Sequence, residues 1–258
     1  MCPLRNFKHL AKPQAVRVVE SRQMGTEASA IVANLARVRE RIARAAERAG
    51  RRAEDVTLVA VSKTFPAEAI RAAYDAGLRH FGENRVQEWE SKRPLLTDLD
   101  ATWHLIGHLQ SNKARRAAYL FHRVDSVDDL ALAKKLDAAA AAEGKRLPVL
   151  IEVHLSGEET KSGAAESDLP ALAASVAPFA HFDLMGLMTI PPFFDEPERA
   201  RPYFRKLREL RDGLSARLRR ALPVLSMGMS HDFEVAIEEG ATEIRVGTGI
   251  FGERKLNQ

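Results

Sequence analysis

The chain has almost no cysteine, no long uninterrupted apolar run and, over most of its length, no excess charge. Each absence removes a class of protein. Cys2 is the only cysteine among 258 residues, so an intramolecular disulfide is impossible and cysteine-based metal sites are excluded. That fits a reducing compartment, and a cytoplasmic location is expected. No stretch of about twenty apolar residues free of charge and proline occurs, so no membrane-spanning helix is expected. The most apolar stretch, Leu169 to Phe194, is broken by Pro178, Asp183, Pro191 and Pro192. The 39 Lys+Arg against 35 Asp+Glu leave a net charge of +4. All of it lies in residues 1–26, which hold five basic side chains (Arg5, Lys8, Lys12, Arg17, Arg22) and one acid, Glu20. Residues 27–258 carry 34 charges of each sign. A nucleic-acid-binding domain carries its positive excess on the folded surface, so nucleic acid is not an expected partner. The basic clusters Lys113-Ala-Arg-Arg116 and Arg217-Leu-Arg-Arg220 read as solvated helix faces.

Residues 1–26 show neither helical nor strand period and lack the apolar core of a secretory signal. They are expected to be a disordered leader or an upstream extension, with Met24 as an alternative start. From residue 27 to 258 the chain reads as one domain. Ile31, Leu35, Val38 and Ile42 fall at helical spacing before Gly50. Eight apolar strands then alternate with helices. The strands are predicted at Val56–Ser62, Leu78–Phe81, Trp103–Ile106, His122–Val124, Leu147–Val153, Phe182–Met188, Val224–Met227 and Glu243–Val246. Strands apolar on both faces imply a buried parallel sheet. Eight βα units predict a single closed (β/α)8 TIM barrel, of class α/β. The open doubly wound alternative usually has fewer strands and a glycine fingerprint in its first turn, which is absent after Ser62.

In such a barrel the chemistry gathers where strands run into the loops that follow them. Two loops stand out. Ser226-Met-Gly-Met-Ser230 and Val246-Gly-Thr-Gly249 combine glycine, hydroxyls and helix starts after the last two strands, the common phosphate position of this architecture. Ordinary capped turns have a similar composition; the barrel count tips the reading towards phosphate. Lys63 ends the first apolar strand. It is either a lysine reaching for solvent or an amine able to form a Schiff base. Beside a phosphate cradle, an aldehyde-bearing phosphate ester such as pyridoxal 5′-phosphate becomes the attractive ligand. Arg245 lies between Ile244 and Val246, so it needs either a buried acid as partner or a cofactor ring nitrogen. His104 and His108 could suggest a metal pair, but without supporting ligands no metal site is expected.

The segments Leu58-Val-Ala-Val-Ser-Lys63, Phe81-Gly-Glu-Asn-Arg-Val-Gln-Glu88, Trp103-His-Leu-Ile-Gly-His-Leu-Gln-Ser-Asn-Lys113, Ser156-Gly-Glu-Glu-Thr-Lys-Ser-Gly163, Met185-Gly-Leu-Met-Thr-Ile-Pro191, Ser226-Met-Gly-Met-Ser230 and Ile244-Arg-Val-Gly-Thr-Gly-Ile-Phe-Gly252 carry a resemblance. The chain resembles the pyridoxal-phosphate homeostasis protein family, from about residue 30 to 254. The resemblance implies a barrel of the alanine racemase N-terminal type, a type III pyridoxal-phosphate fold without the β domain. It implies that Lys63 forms the internal aldimine and that Ser226, Met227, Gly228, Gly247 and Thr248 hold the phosphate. Arg245 would face the pyridine nitrogen, and Asn84 would sit near the ring. His104, Gln110, Asn112 and Lys113 match the family's motif without pointing to a particular role. Three positions depart from the family pattern: His154 for asparagine, His231 for an acid or amide, and Gly249 for alanine.

The expected function is to bind pyridoxal 5′-phosphate and contribute to its homeostasis without robust turnover, so no residue is assigned as catalytic. Apo enzymes are expected as recipients and a monomer as the working state. The alternative is a weak amino-acid racemase or related enzyme using the same cofactor. Racemases of this type resemble two-domain proteins in which a tyrosine supplies a second base. Here the chain ends about a dozen residues after the last predicted strand, and its only tyrosines, Tyr74, Tyr119 and Tyr203, fall on predicted helices.

Overall fold

The computed structural model of the chain describes residues 14–155 and 162–253. The first strands are β1 (Thr57–Val61), β2 (His80–Glu83), β3 (Thr102–Leu105), β4 (Arg123–Val127) and β5 (Leu147–His154). A two-residue strand, β6 (Ala164–Ala165), pairs only with the end of β5. The rest are β7 (Phe182–Met188), β8 (Val224–Ser226) and β9 (Glu243–Val246). All pairings are parallel, β4 meets β5, and β9 returns to β1 with Ala60 opposite Val246. Apart from β6, the eight strands therefore close into the expected barrel.

Around it run α1 (Gln14–Arg48), α2 (Ala67–Asp75), α3 (Val86–Lys92), α4 (Ala114–Leu120), α5 (Leu130–Ala142), α6 (Leu169–Val176), α7 (Arg201–Leu218), α8 (Phe233–Glu238) and α9 (Thr248–Phe251). The stripe Ile31, Leu35, Val38, Ile42 buries one face of α1. The helix lies against α2, α8 and α9, covering the seam where β9 meets β1. It begins at Gln14, so residues 14–26 of the expected leader belong to this helix, while residues 1–13 lie outside the described ones. None of the described helices is long and apolar enough to cross a membrane.

The core has two compartments. Between sheet and helices a continuous apolar layer includes stacked Trp89 and Trp103, centroids 3.8 Å apart, with Phe81 at 5.1 Å from Trp103. Val59, Val61, Ile106, Leu150 and Met188 are buried apart from that layer, inside the barrel. Charges share the interior. Arg123 grips Asp125 through two bonds of 2.5 and 2.9 Å and also pairs with Glu243. His104 approaches Asp125 at 3.3 Å and His80 at 3.1 Å. Burial alone would raise the pKa of Asp125, but Arg123 and His104 outweigh it and hold the carboxyl well below the usual range.

This interior explains where expectation and structure differ. The fourth strand, predicted to stop at Val124, continues to Val127. Asp125 and Ser126 look like loop residues, yet the barrel supplies them with partners: Arg123 for Asp125, and the Gly107 carbonyl for Ser126 at 2.7 Å. The helix after it starts at Leu130 rather than Val127 because Asp129 accepts the Leu132 N–H at 2.7 Å as its N-cap. The second strand starts at His80, two residues later than expected. Gly77 (φ +94°) closes α2, and Leu78 N–H bonds back to Ala73 O at 3.1 Å, a Schellman turn that takes Leu78 out of the strand.

Removing Arg123 leaves two buried carboxylates without their counter-charge. Arg123→Met is expected to destabilise the fold by about 3–5 kcal/mol, read as a lower midpoint in denaturant unfolding at neutral pH. A midpoint within error of the parent would show that the ion pairs are not needed for closure.

Candidate functional site

Strand pairing brings the expected residues together. In the sheet, β2, β1, β9 and β8 are consecutive neighbours. Their C-terminal ends carry Asn84, Lys63, Gly247 with Thr248, and Ser226 with Gly228, along one arc of the barrel mouth. Val61 stands opposite Gly82 on one side, and Ala60 opposite Val246 on the other. Gly247 places the β9 loop against β1: a Cβ built on it would touch Val61 at 3.4 Å, an ordinary packing distance. Lys63 is partly exposed, directly after fully buried Ser62.

The two small-residue loops are tied to each other. Ser230 Oγ accepts the Gly249 N–H at 3.2 Å, and Gly228 O accepts the Arg245 N–H at 3.0 Å. Gly228 has φ +91°, and a Cβ there would lie 2.6 Å from that of Ala236 and 2.9 Å from the Phe233 backbone. Only glycine fits. The outcome is a shallow rim of backbone N–H groups and hydroxyls, with Thr248 exposed. Met227 differs from its neighbours: its fully buried side chain joins the apolar layer behind the sheet, so only its backbone is left for a ligand.

Arg245 lies inside the barrel, 3% exposed. Its Nη1 donates to Ser226 Oγ at 2.7 Å and its Nη2 to the Thr189 carbonyl at 2.9 Å. Among the described residues it makes no salt bridge, so the buried ion pair considered above is not what satisfies it. Each terminal nitrogen gives one of its two N–H groups to a neutral acceptor, so Nε–H and the second N–H of each remain as donors for a ligand. Burial pushes its pKa down, while Glu243, Asp125, Glu152 and Asp232 pull it back up.

Glu152 on β5 is the residue that sequence reasoning missed. It is 6% exposed, and its Oε2 is one of two buried side-chain atoms without a hydrogen-bond partner among the described residues, the other being Glu243 Oε1. Burial pushes its pKa up to about 7, against the pull of Arg245 and His108 and with the push of Asp128. A buried polar atom without a partner marks a place where a ligand atom or water completes the bond. The signal was an acid inside Leu150-Ile-Glu-Val153, visible but overshadowed by the histidine two residues on.

The remaining candidates separate. His104 belongs to the interior cluster, whereas His108 is exposed at the rim and bonds Asp128 at 3.1 Å. The two do not share a site. His104, Asp125 and Glu243 offer ligand atoms within 4.8 Å of one another, but Arg123 already occupies both carboxylates. Gln110 and Lys113 line a cavity of about 460 Å³ with Asn84 and Arg85; Asn112 is exposed outside it. His231 bonds the Asp195 carbonyl at 3.0 Å and lies against Phe193. At Gly249 a methyl group would approach Val246 Cγ1 to 2.8 Å, which accounts for glycine where alanine is usual. The segment Ser156–Lys161 lies outside the described residues.

Comparison with known proteins agrees with this fold. The alanine racemase N-terminal domain model matches residues 33–255. The chain is 51% identical over 221 residues, 86% of its length and 97% of the relative's, to a pyridoxal phosphate homeostasis protein of Aquifex aeolicus. Among solved structures it is similar to PipY of Synechococcus elongatus with pyridoxal phosphate bound, at 41% identity and TM-score 0.77, covering 86% of this chain and all of that one. An alanine racemase of Corynebacterium glutamicum shares the fold at 19% identity and TM-score 0.68, covering 88% of this chain and 62% of that one.

Glu152 yields a pH prediction. Its folded-state pKa lies above the ordinary 4.5, so its contribution is complete below that value and is lost as pH rises towards about 7. Between these limits the parent should lose on the order of 2 kcal/mol relative to Glu152→Gln. Parallel unfolding curves for the two, across pH 5 to 8, check this. A constant difference would mean that Glu152 does not titrate there.

Proposed function

The chain belongs to the pyridoxal phosphate homeostasis protein family, and we propose that it binds pyridoxal 5′-phosphate at the arc of strand ends around Lys63 and serves as a reservoir of the cofactor. The observation that carries this is the convergence, on three adjacent strands, of one lysine, one arginine without a carboxylate partner among the described residues, and two glycine loops. The residues fit the group. A phosphate needs close backbone N–H donors and small hydroxyls, which Gly228, Gly247, Ser226 and Thr248 offer. A pyridine nitrogen needs a donor, and Arg245 Nε–H is one. The polar ring substituents need partners, and Glu152 Oε2 lacks one.

Bound pyridoxal phosphate supplies an aldehyde that condenses with a primary amine and a ring that can take up electrons. Lys63 provides the amine. Asn84, at the adjacent strand end, orients the ring edge. Arg245 would donate a hydrogen bond to the ring nitrogen without giving up its proton, because a guanidinium stays charged. By keeping its proton, Arg245 would leave the ring a weaker acceptor of electrons, which favours holding over turnover. The three tyrosines sit on α2, α4 and α7, where Tyr74 packs under Arg79, Tyr119 beside Arg93 and Tyr203 against Phe194. None stands at the strand-end arc to act as a second base.

A reservoir needs recipients, and apo forms of pyridoxal-phosphate enzymes are the proposed ones, with the monomer as the working form and the cytoplasm as the place. The second reading, weak amino-acid turnover, rests on Glu152, an interior acid titrating near neutral pH that could move a proton.

Lys63→Ala should abolish the visible absorbance that appears when the purified chain is mixed with pyridoxal phosphate, and borohydride should fix the cofactor on Lys63 in the parent alone. Ser226→Ala and Thr248→Ala should each weaken retention by roughly ten- to a hundredfold, the worth of a hydrogen bond to a charged group. Trapping on another lysine would sink the assignment. Turnover of L- or D-amino acids that disappears in Glu152→Gln would favour the second reading.

A further inference from the structure

Lys63 sits in a turn that is held from both sides by one charge cluster. The residue after it, Thr64, has φ +68°, a left-handed conformation that β-branched residues rarely adopt. Such strain persists only where the surroundings over-determine it, and here the determinants can be named. Thr64 N–H donates to the Glu88 carboxylate. On the other side, Ser62 O accepts from Lys92 Nζ at 3.0 Å, and Ser62 Oγ donates to Glu83 Oε1 at 2.7 Å. Lys92 closes the ring of contacts by bonding Glu83 at 3.0 Å and Glu88 at 2.6 Å. Beyond the turn, Phe65 stacks on Phe251 of α9 at 4.7 Å.

The burial of these groups makes the cluster stiff. The Glu83 side chain is fully buried and that of Lys92 12% exposed. Burial raises the pKa of Glu83 against the opposing pull of Lys92 and Ser62. Burial also works to raise that of Glu88, but Lys92 and the Thr64 N–H outweigh it and keep the carboxylate charged. Glu88 and Lys92 are one helical turn apart on α3, so a single short helix grips the backbone before and after Lys63. A lysine four methylenes long has many rotamers. Fixing both backbone neighbours removes the largest source of error in where its amine begins.

We propose that Glu88 and Lys92 are positioning residues for Lys63, which through the Thr64 N–H and the Ser62 carbonyl hold the turn in the left-handed form from which the Lys63 amine reaches its ligand. This rests on the reading of Lys63 as the cofactor amine, and it goes further by assigning a role to α3, which contributes no ligand contact.

The claim is about a backbone conformation, so a backbone change tests it. Glycine adopts φ near +68° without help. The full chain is compared with Glu88→Ala and with the double variant Glu88→Ala, Thr64→Gly. Titration with pyridoxal phosphate reads the visible absorbance, and mass spectrometry reads the rate at which formaldehyde with borohydride methylates Lys63 in the ligand-free protein. Glu88→Ala is expected to bind the cofactor roughly tenfold more weakly, equivalent to about 1.4 kcal/mol. Its Lys63 methylation rate should move away from the parent's. The double variant should return most of both, because the turn no longer needs Glu88. Circular dichroism of the folded variants separates this from loss of fold, which glycine would not repair. Unchanged binding and labelling in Glu88→Ala overturns the proposal, as does a loss that Thr64→Gly does not recover. Failure of the parent to take up cofactor removes the functional reading instead, and the labelling rates alone then decide whether Glu88 sets the turn.

Discussion

Closing eight strands into a ring creates an interior that no helix can reach, and the rest of this structure depends on how that interior is filled. Here it is filled partly with charge. Arg123 and Arg245 share the space with Asp125, Glu243 and Glu152. Arg123 is matched by two carboxylates, and the histidine pair His80–His104 extends the same network. Arg245 is treated differently: its bonds go to a hydroxyl and a carbonyl, which stabilise a guanidinium less than a carboxylate does. The same fold thus contains one arginine matched for stability and one left with a donor to spare, next to an acid with an oxygen to spare. A barrel whose only need was stability would have paired those two.

That difference in satisfaction gives the barrel a direction. The Arg123 network joins residues at the starts of β4 and β9, whereas Ser226 and Thr189, which hold Arg245, lie at or just beyond the ends of β8 and β7. Parallel strands make this possible, since all of them present the same end to the same side. Lys63, Asn84, Ser226 and Gly247 come from segments up to 184 residues apart, and strand order alone makes them neighbours. Two glycines that look like ordinary turn residues have a specific steric reason here: Gly228 lies too close to α8 for a Cβ, and Gly249 too close to the Val246 side chain.

Much of this was legible in the sequence. The alternation of apolar strands and helices predicts the barrel, and the strand-end rule selects Lys63, Ser226, Arg245 and Thr248 without any view of the structure. The parts that were not legible share one cause: their chemistry is completed by residues distant in the chain. Asp125 reads as a loop until Arg123 and His104 are placed beside it. Glu152 is one polar residue in an apolar strand and gains meaning only when the barrel closes over it. Glu88 closes one of the matching segments, but its contact with the Lys63 turn shows only once α3 lies against that turn. Met227 errs in the opposite direction, since its place in a ligand-like loop suggests a contact that its buried side chain does not make. The start of α1 is hidden because residues 14–26 lack an apolar period, and a helix that continues from a packed segment does not need one.

Holding a cofactor and using it place opposite demands on the group beneath the ring. Turnover is favoured when that group can protonate the ring nitrogen and draw electrons into it; retention without side reaction is favoured when it cannot. A guanidinium donates a hydrogen bond while keeping its proton, so on the proposed reading Arg245 secures the ring and limits its chemistry at once. Lys63 then matters as a fixed point of attachment, which explains why the fold commits a buried carboxylate, a lysine and a strained threonine to the backbone around one side chain. Glu152 is the exception within this scheme, because it is the interior group whose proton is free to move near neutral pH. On the proposed reading, Glu152 is therefore the residue at which holding and turnover are told apart, while Lys63 serves both.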